Sequence, residues 1–174
     1  GNITDRDGNV LATSIKVYNM IIDPKVILTE NKDYLEPTVD ALVKCFGYSK
    51  DELTKLIQDN KDSRYVIKEK QLKYEQIEEF KKLMSDTKNN PDVKGVWFEE
   101  EYKRMYPYST LASGTIGFTV AGNVGNWGIE EYYNDYLNGI DGREYGYVNE
   151  DNTMDPVVKE PTDGNTVVST IDLN

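Results

Sequence analysis

The 174-residue chain has no histidine and one cysteine, Cys45. Without imidazole there is no Ser-His-Asp or Cys-His nucleophile and no histidine zinc site, and a lone thiol cannot close an internal disulfide. Cations are also scarce. Twenty Lys and Arg against 31 Asp and Glu leave a net charge of −11. Such a field repels phosphate backbones and anionic lipid headgroups, so nucleic acid is not an expected partner. No run approaches the roughly 20 apolar residues that cross a bilayer, and no signal peptide is present. One thiol leaves the redox compartment open. Cys45 lies in an apolar helical run, where packing is its expected role.

Aromatic residues and glycine are abundant, with 13 Tyr and 13 Gly, a composition that favours a folded exterior over a disordered tail. The length allows one good core or two small lobes. Tyr102, Tyr106, Tyr108, Tyr132, Tyr133, Tyr136, Tyr145 and Tyr147 crowd the second half, with Trp97 and Trp127. Core and rim packing is the expectation for them, with a glycan- or protein-facing surface as the alternative.

The run Asp5-Arg6-Asp7-Gly8-Asn9 is a reverse-turn cluster flanked by Ile3 and by Val10 and Leu11, which predicts a hairpin. β-Branched and aromatic residues then predict a strand over 11–23, ended by Asp23-Pro24. Helices are expected over 37–46, stopped by Gly47, and from a Ser49–Glu52 capping box onward. A strand at 64–68 and an amphipathic helix over 71–84 follow, then a strand over 93–106 closed by Pro107. Beyond it we expect a Ser109-capped helix to Ile116, a glycine-punctuated segment over 117–128, and a helix over 129–137. Strands over 143–149 and 166–172 are expected around an acidic loop containing Pro156, Pro161 and Gly164. There is no internal repeat.

Three motifs suggest chemistry and fail on context. Ser85-Asp86-Thr87-Lys88 has SxxK spacing, but it sits at the end of a charged helix without a KTG companion. Asp5, Asp7 and Asn9 alternate like the start of a calcium loop, yet the positions that need Gly and Glu hold Val10 and Lys16. Gly114, Gly117, Gly122, Gly125 and Gly128 match no phosphate-binding spacing, so tight turns and close contacts explain them better.

Four segments carry a resemblance. Residues 1–12, GNITDRDGNVLA, resemble the RGxIxDRxGxxLA signature of class B penicillin-binding proteins without its leading Arg. Arg104-Met105-Tyr106-Pro107, with Ala112, Gly117 and Phe118, resembles the RxYP…A…xGF pattern of the same family. Gly125 to Glu130, then Tyr133-Asn134, Leu137, Gly139 and Gly142, is similar to GxxG[IL]ExxY[ND]xxLxGxxG. Gly164-Asn165 through Thr170-Ile171-Asp172 resembles the GxxxxxTID stretch that leads into the transpeptidase domain. All four occur in the family's order along the whole chain.

The resemblance implies an α+β fold, the elongated pedestal or dimerisation domain of a division- or sporulation-type transpeptidase. Residues 1–174 would form it, with a stalk from 1–34 and 91–174 and a small helical head or insert at about 35–90. The catalytic motifs of that family follow the TID stretch, so no catalytic, cofactor-binding or metal-binding residue is expected here. The implied function is a non-catalytic extracytoplasmic scaffold that positions a peptidoglycan D,D-transpeptidase, anchored by an N-terminal helix outside this sequence. Implied partners are the parent's own transpeptidase domain, a polytopic peptidoglycan glycosyltransferase and a second copy of the chain. A free-standing binding or dimerising module is the alternative. An independent hydrolase would need paired carboxylates converging in a cleft, which geometry alone can assign.

Asp5, Arg6, Gly8, Arg104, Pro107, Gly117, Gly128 and Glu130 are the candidate structural and interaction residues. Asp5 and Arg6 are about a hundred residues from Arg104 and Glu130, and all lie in glycine-flanked motifs where backbones approach closely. We expect them to meet in a partly buried ion network joining the first hairpin to the later helix. Such a network fixes orientation more than it adds stability. Separate surface charges are the alternative.

Overall fold

The computed structural model describes residues 1–108, 113–148 and 154–172. The chain divides into two compact units, one from Gly1–Ile15 with Tyr102–Asn174 and the other from Lys16–Glu101. The second unit therefore takes in flanking strands as well as the helical segment expected at 35–90.

In the Lys16–Glu101 unit the core lies between strands and amphipathic helices. Strand β2 (Val10–Ile22) begins in the first unit and continues into this one, where it pairs antiparallel with β3 (Val66–Leu72) and also with β4 (Val96–Met105). Its alternate residues Tyr18, Met20 and Ile22 join Val39, Leu42, Leu53, Ile57, Ile77 and Phe80 in one buried cluster, the period of two expected for a strand with one face on a core. The helices supplying the rest are α2 (Leu35–Phe46), α3 (Lys50–Asp59) and α4 (Tyr74–Ser85). Gly47 ends α2 in the left-handed region at φ 72°, and Ser49 accepts from the Glu52 amide to open α3. Cys45 packs at the edge of this cluster, and burial raises its thiol pKa.

Asp23-Pro24 does more than end a strand. It starts the short helix α1 (Pro24–Ile27), with the Asp23 carboxylate accepting from the Val26 amide at 3.0 Å. Proline is suited to the first helical position because its missing N–H would have no partner there.

The other unit has a smaller core of Ile3, Leu11, Ala12, Ile116 and Leu137. Strand β1 (Ile3–Thr4) pairs antiparallel with β2, Ile3 opposite Ala12, and parallel with β9 (Val167–Val168), Ile3 opposite Val167. After α5 (Ser113–Ile116), residues 117–128 form a hairpin of β5 (Phe118–Val120) and β6 (Val124–Asn126). The expected helix over 129–137 is two helices, α6 (Gly128–Tyr132) and α7 (Asn134–Leu137). Asn134 turns its side chain to accept from the Gly125 amide at 2.7 Å, which ties the break to the hairpin. The expected acidic loop contains β8 (Met154–Lys159), antiparallel to β7 (Arg143–Val148) with Pro156 opposite Gly146. A two-stranded ribbon tolerates proline because its outer edge needs no N–H. Ser109, expected to cap a helix, lies outside the described residues.

Candidate functional site

The sequence-expected residues fall into three arrangements within the Gly1–Ile15 and Tyr102–Asn174 unit. The first is buried. Arg104, near the end of β4, points Nε at Glu130 Oε1 at 2.7 Å, and Glu130 sits in the middle of α6. Only 5% and 3% of the two side chains remain open to solvent. Tyr106 Oη donates to the same carboxylate oxygen at 3.1 Å. Arg104 Nη1 donates to Ser14 Oγ at 3.0 Å and to the Gly1 carbonyl. One guanidinium thus holds the chain start, β2 and α6 together. Burial raises the Tyr106 phenol above its usual pKa, with Glu130 adding to the effect and a Thr119 contact opposing it.

The second arrangement is local. Asp5 is buried, but its carboxylate accepts from the Asp7 amide at 2.9 Å, the Asn9 amide at 2.7 Å and the Asn9 side-chain amide at 2.8 Å. These bonds, the Asn9 side chain foremost, hold its pKa below the usual carboxylate value. The same bonds use the oxygens that a calcium-like reading would assign to a metal. Gly8 takes φ 87° in that turn, with open space where a Cβ would point.

The third arrangement lies at the surface, where the Arg6 guanidinium pairs with the Asp172 carboxylate. The Arg6 amide also donates to the Ile171 carbonyl at 3.2 Å. The expected four-residue network is therefore corrected. Arg104 and Glu130 meet, Asp5 closes its own turn, and Arg6 joins the hairpin to the chain's last described segment instead. Asp5-Arg6 is a tight-turn dipeptide, and the Asp5 carboxylate spends its acceptors on three donors of that turn.

Two of the motif glycines let backbones approach closely. Gly117 has φ 80°, and a Cβ there would fall on the Trp127 carbonyl, while one on Gly128 would meet the Thr115 carbonyl. Pro107 is exposed in the turn directly after β4. Trp127 itself takes φ 68° with ψ 147°, a sparsely populated conformation costing a side-chain-bearing residue about 1–3 kcal/mol. Its amide bonds Glu131 Oε2 at 2.9 Å and its indole N–H bonds the Gly114 carbonyl at 3.1 Å.

Several aromatic residues expected to pack do not. Trp127, Tyr132 and Tyr136 are 63%, 82% and 62% exposed, and Phe118, Val120 and Val124 form an exposed face of the β5–β6 hairpin. The side chains of Tyr145 and Tyr147 lie outside the described residues. Ser85 donates its hydroxyl back to the Lys81 carbonyl at 2.8 Å, a bond within its own helix. The sequence reading missed Ser14, Tyr106 as a donor to Glu130, and Asp172. Arg104 and Tyr106 stand at i and i+2 across the end of β4, and that spacing was the available signal for the tyrosine. Ser14 had none.

Comparison with known proteins shows what the chain is similar to. Peptidoglycan D,D-transpeptidase FtsI of Buchnera aphidicola subsp. Baizongia pistaciae is 30% identical over 146 residues, covering 83% of this chain and 24% of FtsI. The chain thus spans about a quarter of that relative's length. Penicillin Binding Protein 2X from Streptococcus thermophilus has the same fold, with a TM-score of 0.73 at 24% identity over 97% of this chain and 27% of that one. A solved complex between PBP2 and MreC from Helicobacter pylori matches with a TM-score of 0.57 at 26% identity, over 97% of this chain and 34% of that one. The profile of the Penicillin-binding Protein dimerisation domain matches residues 1–169, and the chain belongs to that family.

Proposed function

We propose that the domain is a non-catalytic extracytoplasmic scaffold that positions a peptidoglycan D,D-transpeptidase and offers a surface to cell-wall synthesis partners. The observation that carries the reading is the family match over residues 1–169, in a chain that corresponds to about a quarter of a D,D-transpeptidase. The remaining length of such a relative is where its chemistry would reside. Among the described residues no helix is long and apolar enough to cross a membrane. The proposed location is the outer face of the cell membrane, with an N-terminal helix of the parent protein as the proposed anchor.

The partner surface is assigned to the exposed aromatic side chains around α6 and α7. From Met105 to Gly142 the sequence holds no Lys or Arg, while the exposed Glu131, Asp135 and Asp141 are acidic. Exposed Trp127, Tyr132 and Tyr136 beside these exposed carboxylates suit a partner that presents arginine or lysine together with apolar side chains. A polytopic peptidoglycan glycosyltransferase is the proposed partner. The Helicobacter pylori neighbour, a complex between PBP2 and MreC, supports a role of this fold in protein assembly.

Sequencing the parent reading frame is the deciding experiment. SxxK, SxN and KTG motifs downstream of Asn174 are expected. An unrelated continuation, or a stop, overturns the scaffold reading in favour of a free-standing binding module. In the full-length parent, Tyr132→Ala with Tyr136→Ala should leave penicillin acylation intact and reduce co-purification of the glycosyltransferase. Unchanged co-purification would remove the surface from the proposal.

A further inference from the structure

The sheet of the Lys16–Glu101 unit turns one face to its helices and the other away from them. Tyr18, Met20 and Ile22 of β2 and Val96 and Phe98 of β4 belong to the helix-side cluster, so strand alternation points Asn19 and Ile21, with Trp97, Glu99 and Glu101, to the outer face. Aromatic surface is exposed there. Tyr65, just before β3, and Trp97 of β4 pack edge to face with ring centroids 6.3 Å apart, and both remain open to solvent, as does Ile67.

Two carboxylates border the aromatic pair, and each is held in place. Tyr65 donates its hydroxyl to Glu99 Oε2 at 2.6 Å. Asn19 links both neighbouring strands, its Oδ1 accepting from the Gln71 amide at 3.0 Å and its Nδ2 donating to Glu101 Oε2 at 2.9 Å. A carboxylate accepts from more than one donor, so both can take another. Outward positions 17, 19 and 21 of β2 and 97, 99 and 101 of β4 include no Lys or Arg.

We propose that this outer sheet face docks an extended segment of a partner protein that carries arginine at alternate positions. Glu99 and Glu101 are two residues apart on one strand, about 7 Å, and an extended segment repeats its side chains at the same interval. Arginine suits the face better than lysine. Its planar guanidinium stacks on an aromatic ring and reaches a carboxylate with paired N–H groups, whereas an ammonium is a point charge. Trp97 and Ile67 supply apolar surface for the next side chain in the series. A second copy of the chain is opposed by charge, because two-fold pairing through this face would set Glu99 and Glu101 against their own counterparts. The face belongs to a different unit from the α6 and α7 aromatic surface, and its assignment does not depend on that one.

NMR titration of the 174-residue chain with the peptide acetyl-Leu-Thr-Arg-Thr-Arg-amide tests the proposal. Saturable shifts are expected at the Trp97 indole N–H and at the Glu99 and Glu101 amides, weakening as salt is raised. Glu99→Gln with Glu101→Gln keeps an acceptor for Tyr65 and Asn19 and removes both charges, so binding should fall about tenfold, the loss of two partly exposed ion pairs. Citrulline, a neutral isostere, in place of both arginines should weaken the peptide to a similar degree. Acetyl-Leu-Arg-Arg-Thr-Thr-amide, equal in charge but with adjacent arginines, should bind clearly less well. Absence of shifts at these residues, equal affinity for the two arginine peptides, or unchanged affinity in the double variant with hydrogen-exchange protection at Met20 and Ile22 intact each overturns the proposal. Shifts at Trp97 with chitotriose instead of the peptide would make the face a glycan platform and overturn it as well. Tyr132→Ala with Tyr136→Ala should leave peptide binding unchanged; its loss there would move the peptide to the α6 and α7 surface and remove the sheet face as its site.

Discussion

Arg104 Nε lies 2.7 Å from Glu130 Oε1, and the pair is almost wholly withdrawn from solvent. Removing one member strands the other charge, so Glu130→Ala is expected to destabilise its unit by about 3–5 kcal/mol. Replacing both, with Arg104→Met and Glu130→Leu, should recover most of that loss because no lone charge remains buried. Two compact units make a single melting temperature a poor measure. Amide hydrogen exchange at Ile3 and Thr119 reads the affected unit itself, and equal losses in the single and double variants would contradict the argument.

The two positive-φ glycines of the motifs separate conformational cost from crowding. Gly8 has open space around its missing Cβ, so Gly8→Ala should cost only the left-handed penalty, about 1–2 kcal/mol. Gly117 has the same kind of φ, but its Cβ would land on the Trp127 carbonyl, so Gly117→Ala should cost clearly more than Gly8→Ala. Urea unfolding of the two variants, followed by hydrogen exchange in the β5–β6 hairpin, measures the difference. Similar costs would mean that the close backbone approach at Gly117 contributes nothing.

Elements with a local cause were legible in the sequence. The apolar spacing of α2 and α4 and the Gly47 stop all have causes within one or two turns of chain. The β5–β6 hairpin was also locally encoded, because Gly122 and Asn123 both take positive φ between valines, the turn chemistry that joins two short strands. Reading these glycines as tight turns and close contacts allowed for the turn but not for the three-residue strands it joins. The break between α6 and α7 depends on Asn134 bonding an amide nine residues earlier, and no helical periodicity reports that. At the buried joint, motif spacing pointed to Arg104 and Glu130. It gave no way to tell that Asp5 would close its own turn while Arg6 reached Asp172, since both outcomes suit the same dipeptide.

Thr38 is a buried polar residue that apolar patterning passed over. It is 0% exposed in the first turn of α2, and its Oγ1 accepts from the Lys94 amide at 3.0 Å, fixing the loop that leads into β4. Thr38→Val keeps the shape and removes the acceptor, so a loss of about 1–3 kcal/mol is expected from the stranded amide. Thr38→Ser, which keeps the hydroxyl, should lose much less. Chemical denaturation of the two variants, read from hydrogen exchange at Met20 and Ile22, distinguishes the bond from the methyl group.

Asp5 provides the pH-dependent test. Its carboxylate is held below the usual pKa first by the Asn9 side-chain amide and then by backbone amides of the same turn. A carboxyl group whose folded pKa lies below its unfolded value, about 3.9, stabilises the fold above that pH, and the contribution is lost as pH falls through the folded pKa. Asp5→Asn cannot ionise and turns an amide toward the Asn9 amide. The variant should therefore be less stable than wild type at neutral pH, and the gap should narrow on acidification through that window. The carbon chemical shift of the Asp5 carboxyl group, followed by NMR against pH, gives the titration point itself. A midpoint at or above about 4 would place the group with ordinary exposed carboxylates, and the turn bonds would then have no electrostatic consequence.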